Sequence, residues 1–212
     1  KNGRLIKTTN SNGTLQTFTY DSDGQLLQQK DVDAAGNIIN QYDYNYDAVG
    51  NVTVEESVYE PGSFNITNAV MTYDSGNRLL AYNGQTVEYD ADGNMIYGPL
   101  KGEMVEFTYD CRNRLIKAGN ITYEYDAENN RIAVVEDGLR TEYVNNPNAY
   151  LSMLLIERDA DGKERYYVYG NGLIAHEDED GYRVYHFDRR GSTTAITDEN
   201  GTVTDRFFYA PY

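Results

Sequence analysis

One short phrase recurs along this chain and leaves little choice of fold. Its clearest copy is Val87-Glu88-Tyr89-Asp90-Ala91-Asp92-Gly93-Asn94-Met95-Ile96-Tyr97. Val87 and Tyr89 alternate with Glu88, which is the period of a strand. Asp90 then opens an Asp-x-Asp-Gly run whose first carboxylate can accept the backbone N–H two residues on. Gly93 can take the positive φ required by a type I turn followed by a G1 bulge. Alternation resumes at Met95 and Tyr97. The unit predicts a β-hairpin with Tyr89 opposite Met95 and Val87 opposite Tyr97, each aromatic pair adding about 0.2–1 kcal/mol. No catalytic group is built into it.

Five further copies surround Tyr20-Asp21, Tyr46-Asp47, Tyr73-Asp74, Tyr109-Asp110 and Tyr125-Asp126. In each, an apolar residue stands two before the Tyr. The slot four residues after the Tyr is Gly in three units and Asn in the others, at Asn77, Asn113 and Asn129. Asn is the residue that best tolerates the left-handed region after Gly. This substitution predicts a turn position and argues against a phosphate-binding glycine. In the sixth unit Ile132 comes one place later than Leu115 does in the fifth, which predicts a bulge that turns Ile132, not Arg131, to the packed side. Asp31-Val32-Asp33-Ala34-Ala35-Gly36 reads as a degenerate turn, and Glu60-Pro61-Gly62-Ser63 as a simple loop. Val52–Val54 and Val58-Tyr59 read as extra strands. No stretch carries a sustained 3.6 period, so helix is expected to be scarce.

Composition narrows the function classes. Asp and Glu total 34 against 18 Lys and Arg, a net charge of −16. Phosphate-backbone binding needs clustered positive charge, so nucleic acid is excluded as a partner. Tyr is abundant at 21 copies with no Trp, which suits a pleated, half-buried surface better than a thick apolar core. Cys111 is the single cysteine, so no internal disulfide can form. No apolar run approaches the roughly 18 residues of a membrane span. The chain opens at Lys1-Asn2-Gly3-Arg4-Leu5, within a turn and strand, and closes on Tyr209-Ala210-Pro211-Tyr212. It is expected to be a segment of a longer protein, with its first and last strands as open sheet edges.

The texture changes near Tyr143. Asn145-Asn146-Pro147-Asn148-Ala149 is the best internal boundary, dividing a hairpin array, 1–142, from a second segment, 143–212, that continues the same sheet. Strands are expected at Met153–Ile156, Arg165–Tyr169, Leu173–Glu177 and Arg183–Phe187. A last hairpin turns at Asp198-Glu199-Asn200-Gly201.

The Tyr-Asp-x-x-Gly units resemble the YD repeats of Rhs proteins. The segment from about Arg165 to Tyr212 is similar to the Rhs repeat-associated core, on the strength of Tyr185-His186-Phe187-Asp188, Gly191-Ser192-Thr193, Thr197-Asp198-Glu199-Asn200-Gly201 and Tyr209-Ala210-Pro211-Tyr212. The resemblance implies a long β-sheet that spirals into a hollow shell, as in Rhs proteins, toxin-complex B and C components and teneurins. In bacterial members it implies an enclosed, variable C-terminal toxin, released by an aspartate-dependent self-cleavage site beyond the core. This chain ends at Tyr212, where that region would begin, so no residue here is assigned to self-cleavage.

Other features invite chemical readings. Asp21-x-Asp23-Gly24, Asp90-x-Asp92-Gly93 and Asp159-x-Asp161-Gly162 imitate the start of a calcium loop, but Lys101 holds the twelfth position counted from Asp90, where a cation site needs Glu. His176 and His186 are the only histidines, and no Cys or third His accompanies them to bind zinc. Asp188, His186 and Ser192 contain the residue types of a triad, but a triad is recognised by geometry, and nothing in this short stretch sets it. Cys111 lies beside Arg112 and Arg114, which favour a thiolate, yet it reads as a turn residue. Five Asn-x-Thr sequences, among them Asn65-Ile66-Thr67 and Asn120-Ile121-Thr122, follow from turn Asn preceding strand Thr.

The expectation is an all-β fold of tandem antiparallel hairpins in a twisted, spiralling sheet. It has no catalytic, cofactor or metal residue. Its expected partners are the rest of its own shell and a C-terminal toxin, in a bacterial secreted or cell-surface protein exported by a specialised route. The alternative is a carbohydrate- or receptor-binding module presenting rows of exposed Tyr.

Overall fold

The computed structural model describes residues 3–59, 68–149 and 152–209. The expected loop at Glu60–Ser63, the Asn65 sequon and the Ala210-Pro211-Tyr212 ending lie outside them. Among the described residues there is no helix, and every strand pairing is antiparallel. The chain divides into two compact units, residues 1–64 with 166–212, and residues 65–165.

The first unit opens with a sheet ordered β1-β2-β3-β4-β5: β1 (Lys7–Thr9), β2 (Leu15–Tyr20), β3 (Leu26–Val32), β4 (Ile38–Tyr46) and β5 (Val52–Ser57). Val58-Tyr59, expected as strand, is a bend. The second unit contains a small sheet of β6 (Met71–Tyr73), β7 (Leu79–Tyr82) and β8 (Gln85–Thr86). A meander follows through β9 (Glu88–Tyr89), β10 (Met95–Leu100), β11 (Glu103–Tyr109), β12 (Leu115–Ala118), β13 (Ile121–Tyr125), β14 (Arg131–Glu136), β15 (Leu139–Asn145) and β16 (Leu154–Arg158). The first unit resumes at Tyr166, within β17 (Glu164–Gly170), and continues with β18 (Gly172–Asp178), β19 (Gly181–Phe187), β20 (Thr193–Thr197) and β21 (Val203–Arg206). Among the described residues β1 and β21 each pair on one side only.

The turn positions adopt the expected backbone. Gly93 has φ 89°, and Asn77, Asn113 and Asn129 have φ 64°, 58° and 70°. A register shift accompanies the turn in unit after unit, leaving Tyr20 opposite Leu26, Tyr46 opposite Val52 and Tyr109 opposite Leu115. These are the bulges that follow a type I hairpin turn. The sixth unit obeys the same rule. Its shift lies between Glu124 and Tyr125, so Arg131 takes the slot of Leu115, with its guanidinium by the Tyr123 and Tyr143 rings.

One pairing differs from expectation. Tyr89 stands opposite Met95, but a shift between Met95 and Tyr97 sets Tyr97 opposite Glu88. Val87, displaced from that ladder, is buried and donates its N–H to the Leu80 carbonyl at 2.8 Å.

The apolar core is thin in both units. Ile39, Tyr44, Ala175, Val184, Ala195 and Ile196 are buried in the first, and Val87, Ala118, Ile121 and Ala133 in the second. All eight buried polar residues among those described lie in the first unit.

Candidate functional site

The repeated Asp is consumed by its own turn. In ten turns of the described residues, headed by Asp21, 33, 47, 74, 90, 110, 126, 159, 188 and 198, the Asp N–H donates to the carbonyl four residues on. The side chain completes the loop. Asp90 Oδ1 accepts the N–H groups of Asp92 and Asn94 at 3.0 and 2.8 Å, and Oδ2 accepts Asn94 Nδ2 at 2.9 Å. Asn94 holds the Asp90 carboxyl below the usual carboxylate range. The N–H of Arg114 does the same for Asp110, aided by the Arg114 side chain. Asp90 has both oxygens committed, and Asp21 and Asp159 each spend Oδ1 on two N–H groups of their own turns, so the Asp-x-Asp-Gly runs are turn caps. Lys101 bonds Glu136 instead of approaching the Asp90 turn.

Four of the six repeated Tyr residues, Tyr20, Tyr46, Tyr89 and Tyr125, fasten their hairpin to the stretch before it. Tyr46 OH donates to Leu26 O at 2.9 Å, Tyr89 OH to Leu79 O at 2.8 Å and Tyr125 OH to Leu115 O at 2.8 Å. The acceptors Leu26, Leu79 and Leu115 stand opposite the preceding unit's Tyr. Where an Arg precedes the Leu it covers the ring: Arg78 lies 4.8 Å from the Tyr89 centroid and Arg114 5.0 Å from that of Tyr125. Tyr20 repeats the arrangement with Leu5 and Arg4. An Arg-Leu dipeptide followed by the next Tyr therefore forms a clasp, with the hydroxyl on main chain and the ring under a cation.

The first unit contains a different arrangement, a buried polar seam between β2–β5 and β19–β21. His186 Nδ1 lies 3.3 Å from Asp31 Oδ2, and both residues are buried. His186 Nε2 lies 3.0 Å from Thr197 Oγ1, which accepts Asn12 Nδ2 at 2.9 Å. Asn12 also donates to Asp198 O and accepts the hydroxyl of Thr14. Beside this chain, Asn40 donates to Thr194 Oγ1 at 2.8 Å and Gln29 donates to Phe187 O. Arg206 donates to Ile39 O at 2.8 Å with its guanidinium 3.7 Å from the Tyr59 centroid. At the rim Glu55 holds Arg189 and Arg190. A cleft of about 200 Å³ opens among Tyr42, Glu55, Asp188, Arg190 and Arg206.

Two groups in the seam are under-satisfied. Among the described residues neither carboxylate oxygen of Asp31 has a hydrogen-bond partner, and the buried Tyr44 hydroxyl has none. Burial first, then the charge of Glu55, pushes the Tyr44 hydroxyl well above the usual phenol range.

Asp31, His186 and Thr197 stand in the order carboxylate, imidazole, hydroxyl, which is the order of a nucleophilic relay. A nucleophile must meet its substrate, and Thr197 is 0% exposed with its oxygen already bonded to Asn12. The arrangement ties strands together. The Asp188–His186–Ser192 grouping of the sequence does not assemble. Asp188 Oδ1 accepts the N–H groups of Arg190 and Ser192 as a turn cap, while His186 points to Asp31.

The remaining candidates fall elsewhere. His176 is buried with Nδ1 2.9 Å from Tyr185 OH. Cys111 is exposed in a turn. Asn12, the first residue of one Asn-x-Thr sequence, is buried in the seam. Among the described residues no three His, Cys, Asp or Glu side chains gather to hold a metal. No helix among them is long and apolar enough to cross a membrane.

The sequence profile of the teneurin YD-shell family matches residues 2–212. No curated protein matches the chain. Among solved structures it is similar to the TcdB2–TccC3–Cdc42 complex, with TM-score 0.49 and 15% identity over 99% of this chain and 15% of the other. The Tc holotoxin pore of Photorhabdus luminescens gives the same values. A TcdB2–TccC3–TEV structure gives TM-score 0.35 and 16% identity over 92% of this chain and 12% of the other. The chain thus spans about 15% of the length of the first of these structures.

Proposed function

Because the chain belongs to the teneurin YD-shell family, we propose that it is a non-enzymatic wall segment of a bacterial Rhs/YD-repeat shell enclosing a C-terminal toxin or effector. The observation that carries this reading is the fate of the repeated side chains. The turn Asp is used up as a cap and the Tyr hydroxyl clasps the neighbouring hairpin. A repeat spent on its own backbone makes a wall, not a site. The one relay-like group, Asp31–His186–Thr197, is closed to solvent, which supports the absence of catalysis.

The mechanism is containment. Extended hairpins wall off an interior, and the strands of 143–212 deliver the following segment into it. The partners are the rest of the shell and the enclosed toxin, and the setting is a secreted or cell-surface protein exported by a specialised route. A carbohydrate- or receptor-binding role would require Tyr rows with free edges. The clasped hydroxyls of Tyr46, Tyr89 and Tyr125 favour packing instead.

Reading the gene past the codon for Tyr212 tests this. An Asp-Pro-x-Gly-like segment followed by a variable domain is the expected result. A stop codon or a cell-wall anchor at that point would overturn containment.

A further inference from the structure

Asp31 is the only acidic residue in the buried class among those described, and its carboxylate has no hydrogen bond. A bare carboxylate away from water is strongly unfavourable unless an opposite charge lies against it. Every positive group facing the seam except one is committed elsewhere. Arg189 and Arg190, between β19 and β20, hold Glu55 of β5. Arg206 of β21 serves the Ile39 carbonyl and the Tyr59 ring. Tyr42 and Tyr44 of β4 bring phenols whose ionisation burial opposes, and Asp188 adds negative charge. The remaining group is His186 of β19, 3.3 Å from Asp31 Oδ2. The other histidine, His176, instead meets Tyr185 and Asp178.

We propose that Asp31 and His186 form a proton-operated latch, closing the seam between β2–β5 and β19–β21 while His186 is protonated and loosening it when the proton leaves. In the closed form the imidazolium stands as an ion pair against Asp31, Nδ1 3.3 Å from Oδ2, and gives Nε2–H to Thr197 Oγ1, whose two lone pairs take this bond and that from Asn12. Loss of the proton to solvent leaves a net negative charge in the seam and requires the Thr197 hydroxyl to turn and donate to Nε2. The closed form binds one more proton than the open form, so closure is favoured as pH falls and weakens as pH rises. The latch joins strands far apart in sequence, so its release separates elements without unpairing any ladder. This inference does not depend on the shell reading.

Hydrogen–deuterium exchange read by mass spectrometry tests it on the intact chain. Protection of peptides from β3 and β20 is divided by that of β14 in the second unit, so the intrinsic pH dependence of exchange cancels. As the pH is raised over the range in which the fold persists, the ratio should fall in the wild type, by up to about tenfold per pH unit where the proton leaves. It should be flat in Asp31→Asn and His186→Gln. A flat wild-type ratio, or an unchanged slope in Asp31→Asn, overturns the latch. Should both variants fail to fold, the imidazole nitrogen spectrum of the wild type decides, with His176 as internal reference. A His186 ring that is charged where β3 and β20 are protected and loses that charge where their protection falls supports the proposal, and a ring neutral throughout overturns it.

Discussion

The second unit and the seam of the first are both β-structure with little apolar core, but they are held in opposite ways. The second unit relies on local, repeated and largely exposed bonds. Its turns close within five residues, and its clasps join adjacent hairpins. The seam relies on single, buried, long-range bonds: Asn12 reaches Thr197, and Asn40 reaches Thr194. Losing one turn cap exposes its partners to water, which replaces the bond. Losing one seam partner strands another polar group out of reach of water, at a cost of about 1–3 kcal/mol. The array therefore tolerates variation at each copy, as the Gly and Asn alternatives show, whereas the seam has no second copy.

The largest effect should come from acid, which attacks all the copies at once. Asp33, Asp47, Asp74, Asp90, Asp110 and Asp126 are each held below the usual carboxylate value, chiefly by the side chain or N–H of the residue four places on. A carboxyl with a depressed folded value stabilises above its unfolded value, 3.8, and that contribution disappears as pH falls through the folded value. Circular dichroism should show the fold intact down to about pH 4 and failing below it. Full retention of strand signal at about pH 2 would deny the turn carboxylates a role.

Next comes the seam. Asn12→Ala removes the bonds to Thr197, to Asp198 O and to Thr14 together. The expected loss is about 2–4 kcal/mol by denaturant titration. Exchange should rise in β2 and β20 and stay unchanged in β13 and β14. A uniform rise across both units would mean that the seam is not a separate region.

A turn substitution should cost less and remain local. Gly93 has φ 89°, and a Cβ there meets no atom within 4 Å. Gly93→Val is thus a test of backbone strain alone, about 1–3 kcal/mol. Asn113→Gly, at φ 58°, should be close to neutral because Gly suits the same region. Equal melting temperatures for Gly93→Val and the wild type would refute the turn assignment.

These cases show what the sequence made legible. Alternation and turn residues located nearly every strand, because both signals are local: Leu173–Glu177 was expected and Gly172–Asp178 is found. The Gly and Asn slot disclosed the left-handed turn. Finer register escaped, since the shift between Met95 and Tyr97 depends on how Val87 is drawn to Leu80. The clasps left a readable trace in Arg-Leu followed by a Tyr, but the acceptor is a carbonyl, which every residue carries. The seam was beyond reach. Asp31 lies mid-strand among polar neighbours, and its partner His186 is brought to it only by the packing of distant strands. Residue types near His186 in sequence suggested Asp188 and Ser192, and geometry chose Asp31 and Thr197.

A clasp can be opened one bond at a time. Tyr125→Phe keeps the ring under Arg114 and deletes only the bond to Leu115 O. About 0.5–1.5 kcal/mol should be lost, with faster exchange at β12 and β13. If Tyr125→Phe matched the effect of Asn12→Ala, the contrast between repeat and seam would fail.

The smallest effect should come from the charges that look most numerous. Glu124, Arg140, Glu142, Arg158 and Glu164 form a ladder across β13, β15, β16 and β17, with contacts of 2.6, 2.9, 3.1 and 2.5 Å. Their side chains are between 26% and 48% exposed, so water and salt screen them and ordering long side chains offsets much of the gain. Arg140→Ala should lower Tm by about 2 °C or less. In about 1 M salt, where the screening length shrinks to about 3 Å, that difference should vanish. The deficit of Asn12→Ala should persist under the same salt, because its bonds are between neutral groups buried from ions. A salt-sensitive seam, or a ladder variant as damaging as Asn12→Ala, would show that exposed charge rather than buried hydrogen bonding distinguishes the two regions.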